Sequence, residues 1–296
     1  MILSTPLSRS LGLKYPLVAA PMFLISNKEM IVACAEAGIL GCMPSLNART
    51  PEQFKEDLAW IRARTDKPFG INLTLGLTPA ERLEADFTHC VEFKVPVLLT
   101  SYGNPTEYTR RAHEHGMKVF HDVITLAHGR KAVAAGVDGI IGVAAGAGGH
   151  AGRISPFVLY PWLAEELKVP IIAAGCISTG QQIIASLSLG AQLCYIGTRF
   201  IASTECGAVQ AYKEKVVNVG PEDIVYTDKI SGIHANFIKD TVPEGFEADR
   251  SPSGAKRWKD VWSAGQGVGL IHDIKPIGEI VESMMREAHD TLGIFG

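Results

Sequence analysis

No pair of cysteines in this chain has CxxC spacing, and no apolar run approaches the ~20 residues needed to cross a bilayer. The longest apolar stretches, Pro16 to Ile25 and Val169 to Ile177, fall well short of that length. Neither charge sign is in excess: 28 Lys plus Arg against 31 Asp plus Glu give a net charge of -3. That balance offers no basic face for nucleic acid or an anionic membrane. The first residues lack a basic segment followed by an unbroken apolar run, because Pro6, Pro16 and Pro21 punctuate them, so no signal peptide is expected. The six cysteines (Cys34, Cys42, Cys90, Cys176, Cys194, Cys206) are scattered through apolar segments. They read as reduced thiols of a cytoplasmic protein rather than as disulfides or zinc ligands. No carboxylate–histidine group has metal-ligand spacing, and no GxSxG elbow is present.

What the chain does have is a hydrophobic share of 47% over 296 residues, ample for a buried core. Short β-branched runs alternate with amphipathic stretches. Strands are expected at Tyr15–Ala20, Ile39–Cys42, Pro68–Leu75, Val95–Ser101, Met117–Asp122, Val137–Ala144, Pro170–Ala174 and Gln192–Gly197. The gaps suit helices, for example Thr50–Arg64, Pro105–His115 and Ser178–Leu189. Thr50 and Ser178 each stand three residues before a Gln, the spacing of a capping box. Most strands are continuous apolar runs, as in sheets covered on both faces.

Eight βα units in one series predict an α/β fold of the (β/α)8 TIM barrel type, with an open Rossmann-like sheet as the alternative. After about residue 217 the rhythm breaks. Residues 1–217 are read as the barrel, 218–270 as an irregular cap or small subdomain, and 271–296 as a C-terminal helix packing back.

In such barrels chemistry gathers where the strands end. Gly70, Asn72 and Thr74 alternate along the third strand, so they share one face, with room and hydrogen bonds for a ligand. A satisfied polar layer inside the barrel is the competing reading. Glycines follow the seventh and eighth strands, at Gly175 and at Gly197-Thr198, where many barrels bind a phosphate; two ordinary turns are the alternative. Ala145 to Gly152 reads AGAGGHAG directly after the sixth strand. It superficially matches the dinucleotide fingerprint, but the next helix starts only at Ser155-Pro156 and no acidic residue ends a strand about 20 positions on. Four glycines around His150 instead suggest backbone pressed against a flat ligand with the imidazole over it. His121 and Asp122 close the fifth strand, and only one of them can point inward.

With these motifs the chain resembles the nitronate monooxygenase family, formerly 2-nitropropane dioxygenases, of FMN-containing barrels. The resemblance rests on Ala19-Ala20-Pro21-Met22, Gly70 to Thr74, Gly146 to Gly152, Ala173-Ala174-Gly175, Gly197-Thr198-Arg199-Phe200 and Trp262 to Gln266. FMN-dependent enoyl-ACP reductases and NADH:quinone reductases are similar. The resemblance implies that Pro21, Met22, Asn72, Thr74, Gly148 and Gly149 border the flavin ring and ribityl chain. It further implies that Gly175, Gly197 and Thr198 hold the phosphate. His150 matches the family's active-site histidine, which binds the nitronate and in some members takes the α-proton of a nitroalkane. Cys176 departs from a glycine common in the phosphate turn, and Asp122 stands where some quinone-reducing relatives carry lysine. The implied reaction oxidises alkyl nitronates with O2 to a carbonyl compound and nitrite. An FMN-dependent NAD(P)H reductase acting on a quinone, enone or enoyl thioester is the alternative. A flavin-free phosphate-binding barrel is a third reading, and it predicts a colourless protein. The partners expected are a small-molecule substrate and O2, without metal, nucleic acid or membrane.

Overall fold

Thr5, Asn27, Thr50, Thr125 and Thr179 each accept a hydrogen bond from the backbone N–H three residues on, fixing the starts of five helices. The box begins at Thr179, with Gln182 as its partner, one residue later than Ser178 and Gln181. Ser178 Oγ is occupied elsewhere, donating to Gly267 O at 3.1 Å. At Thr50 only half the box forms, because Gln53 Oε1 accepts from Arg49 N.

The computed structural model describes residues 3–230, 232–243 and 261–294. Its strands are β1 (Leu17–Ala19), β2 (Leu40–Pro44), β3 (Phe69–Thr74), β4 (Val97–Ser101), β5 (Lys118–Val123) and β6 (Gly139–Val143). They continue with β7 (Gly149–His150), β8 (Ile171–Ala174), β9 (Ala191–Ile196), β10 (Ile224–Thr227) and β11 (Ala235–Ile238). Eight of them form a closed barrel in the order β1-β2-β3-β4-β5-β6-β8-β9. Neighbouring strands run parallel, and β1 closes the ring on β9 with Val18 opposite Tyr195. That closure excludes the open sheet and makes the fold a (β/α)8 barrel.

Two apolar layers explain the continuous apolar runs. Leu40, Cys42, Val97, Leu99, Phe120, Ile141, Ile172 and Leu193 fill the barrel interior, with Leu7 and Leu13 from the N-terminal segment packed against them. The opposite strand faces pack on the surrounding helices through residues such as Phe54, Phe69, Leu163 and Ile183. Gly70 belongs to the interior, where an added Cβ would run into Cys42 Sγ at 2.6 Å and Leu99 Cδ1 at 2.7 Å.

The final helix, Ile277–Gly293, packs on the helices Gly180–Ser188 and Lys28–Ala37. Its Glu287 Oε2 accepts from Gly180 N at 2.8 Å, a carboxylate at a helix N-terminus. The stretch after the barrel is more regular than its Pro/Gly/Asp/Lys composition suggests. The apolar tetrapeptide Ile224-Val225-Tyr226-Thr227 pairs antiparallel with β11, and β11 pairs antiparallel with β7. Residues 244–260 of that stretch lie outside the described residues.

Candidate active site

Three glycine-rich turns after β6, β8 and β9 meet a fourth segment, Ala264 to Gly267, at one end of the barrel. At Gly148 and Gly265 the backbones approach too closely for side chains. A Cβ on Gly148 would lie 2.8 Å from Gly265 N and 3.0 Å from Thr198 Oγ1. One on Gly265 would lie 2.7 Å from Gly148 N, and Gln266 N donates to Gly146 O at 2.9 Å. Gly149, by contrast, has φ +70° and faces open space. Gly175 needs its glycine too, with φ +125°. Its neighbour Cys176 holds φ +56°, a left-handed conformation costing about 1–3 kcal/mol in a non-glycine residue. Thr198 Oγ1 accepts from Gly265 N at 3.0 Å, so its own proton stays available for an anion. Gly197 has φ −101°, which any residue adopts, and an added Cβ would meet only Met22 Sδ at 3.7 Å and Ala20 Cβ at 3.9 Å. Met22 thus flanks the Gly197 turn, with Pro21 half-buried beside it. The cradle is built of backbone and one hydroxyl, a donor set that suits a phosphate monoester.

His150 is placed by strand pairing rather than by its own turn. Gly149 and His150 lie opposite Asn236 and Ala235 of β11. Ala151 N donates to His234 O at 3.4 Å, and Tyr226 Oη donates to Ala151 O at 2.9 Å. Asn236, buried, donates through Nδ2 to Ala147 O at 2.7 Å. The post-barrel hairpin therefore clamps both sides of the AGAGGHAG turn. The His150 ring meets the Tyr102 ring edge-on, with centroids 5.6 Å apart and planes at 89°. Packing around the imidazole lowers its pKa below 6.5, although the residue as a whole stays exposed. The neutral imidazole, able to accept a proton, is thereby favoured at neutral pH.

Across the mouth, β3, β4 and β5 bring a polar set together. Asn72 Nδ2 donates to Leu99 O at 3.1 Å and to Ser101 Oγ at 2.8 Å, and Ser101 Oγ donates to Asp122 Oδ2 at 3.0 Å. Thr74 Oγ1 donates to Asn72 Oδ1 at 3.4 Å. Register decides the choice at the end of the fifth strand. Asp122 joins this interior set, while His121 bonds Thr100 at 2.8 Å on the other face, where burial pushes its pKa down to about 4. Asp122 is held up at about 6 because its carboxyl is desolvated, against the opposing hydrogen bonds from Ser101 and from its own backbone N–H. Asp122 Oδ1 and Tyr102 Oη are buried without a hydrogen-bond partner. Such atoms cost about 1–3 kcal/mol each unless a water or ligand atom meets them. Of this group, sequence reasoning left out Ser101 and Tyr102. Their signal was the polar Ser101-Tyr102-Gly103 at a strand end.

Of the residues singled out from sequence, Met22, Gly148, Gly149, Gly175, Gly197 and Thr198 belong to the glycine turns and their flank. Asn72 and Thr74 belong to the polar set across the mouth, and the Tyr102–His150 ring contact joins the two sides. Among the described residues no cluster of His, Cys, Asp or Glu could hold a metal ion. A closed parallel barrel whose glycine turns and histidine gather at the C-terminal ends of its strands has the architecture of a TIM-barrel enzyme.

Comparison with known proteins narrows this class. A sequence model of the nitronate monooxygenase family matches residues 4–92 and 81–252, and the chain belongs to that family. It is 26% identical to a nitronate monooxygenase of Paraburkholderia phytofirmans, over 95% of this chain and 94% of the relative. The structure of FabK from Thermotoga maritima superposes with a TM-score of 0.88 and 30% identity, covering 99% of this chain and 98% of that one. Nitroalkane oxidase from Streptomyces ansochromogenes shares the fold, with a TM-score of 0.86, 23% identity and coverage of 98% and 100%. The protein is accordingly an oxidoreductase. No helix among the described residues is long and apolar enough to cross a membrane.

Proposed function

We propose that the chain binds FMN in the glycine cradle and oxidises small alkyl nitronates with O2 to a carbonyl compound and nitrite. The observation that carries this reading is His150, held by β11 at the edge of the glycine cradle. The turns at Gly175 and Gly197, with the Thr198 hydroxyl, hold the phosphate. Pro21, Met22, Asn72, Thr74, Gly148 and Gly149 border the ring and ribityl chain. FMN, when bound, supplies the electron acceptor for the nitronate and the route to O2. His150, neutral at pH 7, hydrogen-bonds a preformed nitronate and takes the α-proton of a neutral nitroalkane. The hairpin then keeps it in reach, a positioning effect that can be worth several kcal/mol. Residues 1–217 would carry the cofactor, 218–270 the clamp on the histidine turn, and 271–296 the buttress. A cytoplasmic setting suits six unpaired cysteines, five of them buried.

The second reading is an FMN-dependent NAD(P)H reductase acting on a quinone, enone or enoyl thioester. It is favoured by the 30% identity to FabK over nearly the full length of both chains. Anaerobic mixing of the purified protein with a nitronate, and separately with NADH, decides between them. Bleaching of the flavin band by the nitronate supports the first reading, and bleaching by NADH alone supports the second. A colourless protein that FMN cannot reconstitute overturns both.

A further inference from the structure

Three buried side-chain polar atoms among the described residues lack a hydrogen-bond partner: Tyr102 Oη, Thr109 Oγ1 and Asp122 Oδ1. Thr109 lies in the helix Thr106–Glu114 on the outside of the barrel. The other two belong to one place. Ser101 and Tyr102 are consecutive, Ser101 bonds Asp122, and the Asp122 carboxyl is near enough to raise the pKa of the Tyr102 phenol. Tyr102 also holds φ +54°, a left-handed backbone in a bulky residue. Strain and unmet hydrogen bonds together are the mark of a contact completed by a ligand.

The hydrogen bonds run in one direction. Asn72 Nδ2 donates to Ser101 Oγ, and the Ser101 hydroxyl then donates to Asp122 Oδ2. Asp122 ends the relay, with Oδ1 unmet. The titratable groups facing the carboxyl are the phenols of Tyr102, after β4, and Tyr195 on β9. Both are pushed up, largely by burial, and stay protonated. Cys42 on β2 faces Tyr195 and is likewise held protonated, and His150 on β7 lies beyond Tyr102. Among the described residues no lysine or arginine contributes to the electrostatics of Asp122. An ionised carboxylate here has no compensating cation, whereas the protonated acid has a hydrogen to give through Oδ1.

We propose that the Asp122 carboxyl, protonated, and the Tyr102 phenol donate hydrogen bonds to acceptor atoms of the flavin ring, so that cofactor binding takes up a proton. This rests on the FMN reading and adds to it a residue pair and a pH dependence. Asn72 and Ser101 position the acid without themselves titrating. Uptake of one proton makes affinity fall by up to roughly ten-fold per pH unit above the carboxyl's pKa in the free protein. The fall levels off above its pKa in the complex.

The test is titration of the apoprotein with FMN, read by quenching of flavin fluorescence between about pH 5.5 and pH 8.5. Wild type is compared with Asp122→Asn and Tyr102→Phe. The FMN phosphate itself titrates near pH 6, equally in all three, so the quantity read is the ratio of dissociation constants. The wild-type Kd divided by that of Asp122→Asn should rise at least ten-fold across the range, because the amide keeps a donor at every pH. Tyr102→Phe should weaken binding several-fold without altering the slope. Ser101→Ala removes the side-chain donor to the charged form, so it should move the wild-type midpoint to higher pH, and it serves if Asp122→Asn does not fold. A flat ratio, or an unmoved Ser101→Ala midpoint, overturns the proposal while leaving FMN binding intact. Failure of every form to bind FMN overturns the flavin reading as well.

Discussion

Replacing Asp122 by Asn should stabilise the apoprotein, increasingly so as the pH rises. The carboxyl has a folded-state pKa of about 6 against an ordinary value of 3.8. The folded chain therefore holds its proton more tightly than the unfolded chain. Below pH 3.8 both states are protonated and the group is neutral in the balance. Between the two values only the unfolded state ionises freely, so stability is lost as pH climbs through 6. Each pKa unit is worth ~1.4 kcal/mol, giving a penalty of about 3 kcal/mol at pH 8. Asparagine matches the protonated acid in shape, still accepts from Ser101, and carries no titrating proton. The difference between variant and wild type should thus be small near pH 4 and approach about 3 kcal/mol near pH 8. At roughly 2 °C per kcal/mol for a chain of this size, the unfolding midpoint should rise by about 6 °C. Calorimetry of both apoproteins across that range checks it, since every other titrating group cancels in the difference. A difference that stays constant with pH, or a wild type more stable at pH 8, would refute the reasoning.

Four further outcomes are expected. Gly197→Val should fold normally, since φ −101° suits valine and the nearest atom to the new Cβ is 3.7 Å away; equilibrium dialysis should nevertheless show weakened FMN retention as the branches enter the phosphate space. His150→Asn should lose about 10²–10⁴-fold in turnover on neutral nitroalkanes, measured by O2 uptake, and much less on preformed nitronates, which need no deprotonation. Because packing lowers the imidazole pKa, wild-type turnover on neutral nitroalkanes should rise with pH through a value below 6.5 and be level above it. Asn236→Ala leaves the Ala147 carbonyl without its donor, at a cost of about 1–3 kcal/mol in chemical denaturation; turnover should fall as well, because the same hairpin holds His150.

The barrel was legible because its evidence is local. Each strand is an apolar run of a few residues, five helices are opened by a capping side chain three residues away, and eight βα units in series close into a barrel. The glycine turns at 146–149, 175 and 197 were legible for the same reason: a turn that must bring backbone close to a ligand or to another turn is written in its own residues. The rest depended on pairings between distant parts of the chain. Nothing in Gly149-His150 marks a two-residue strand, and only β11, some 85 residues later, makes it one. The backbone around Gly265 closes on Gly148 and Thr198 through contacts that no local pattern encodes. Which of His121 and Asp122 faces the interior is a matter of strand register, and a shift of one residue would exchange them. The unmet atoms of Asp122 and Tyr102 exist only in the folded molecule, because burial is set by every strand around them. The sequence by itself determined the scaffold and where its glycine turns fall; the tertiary structure decided which side chains meet there, because register and burial are set by strands distant in the chain.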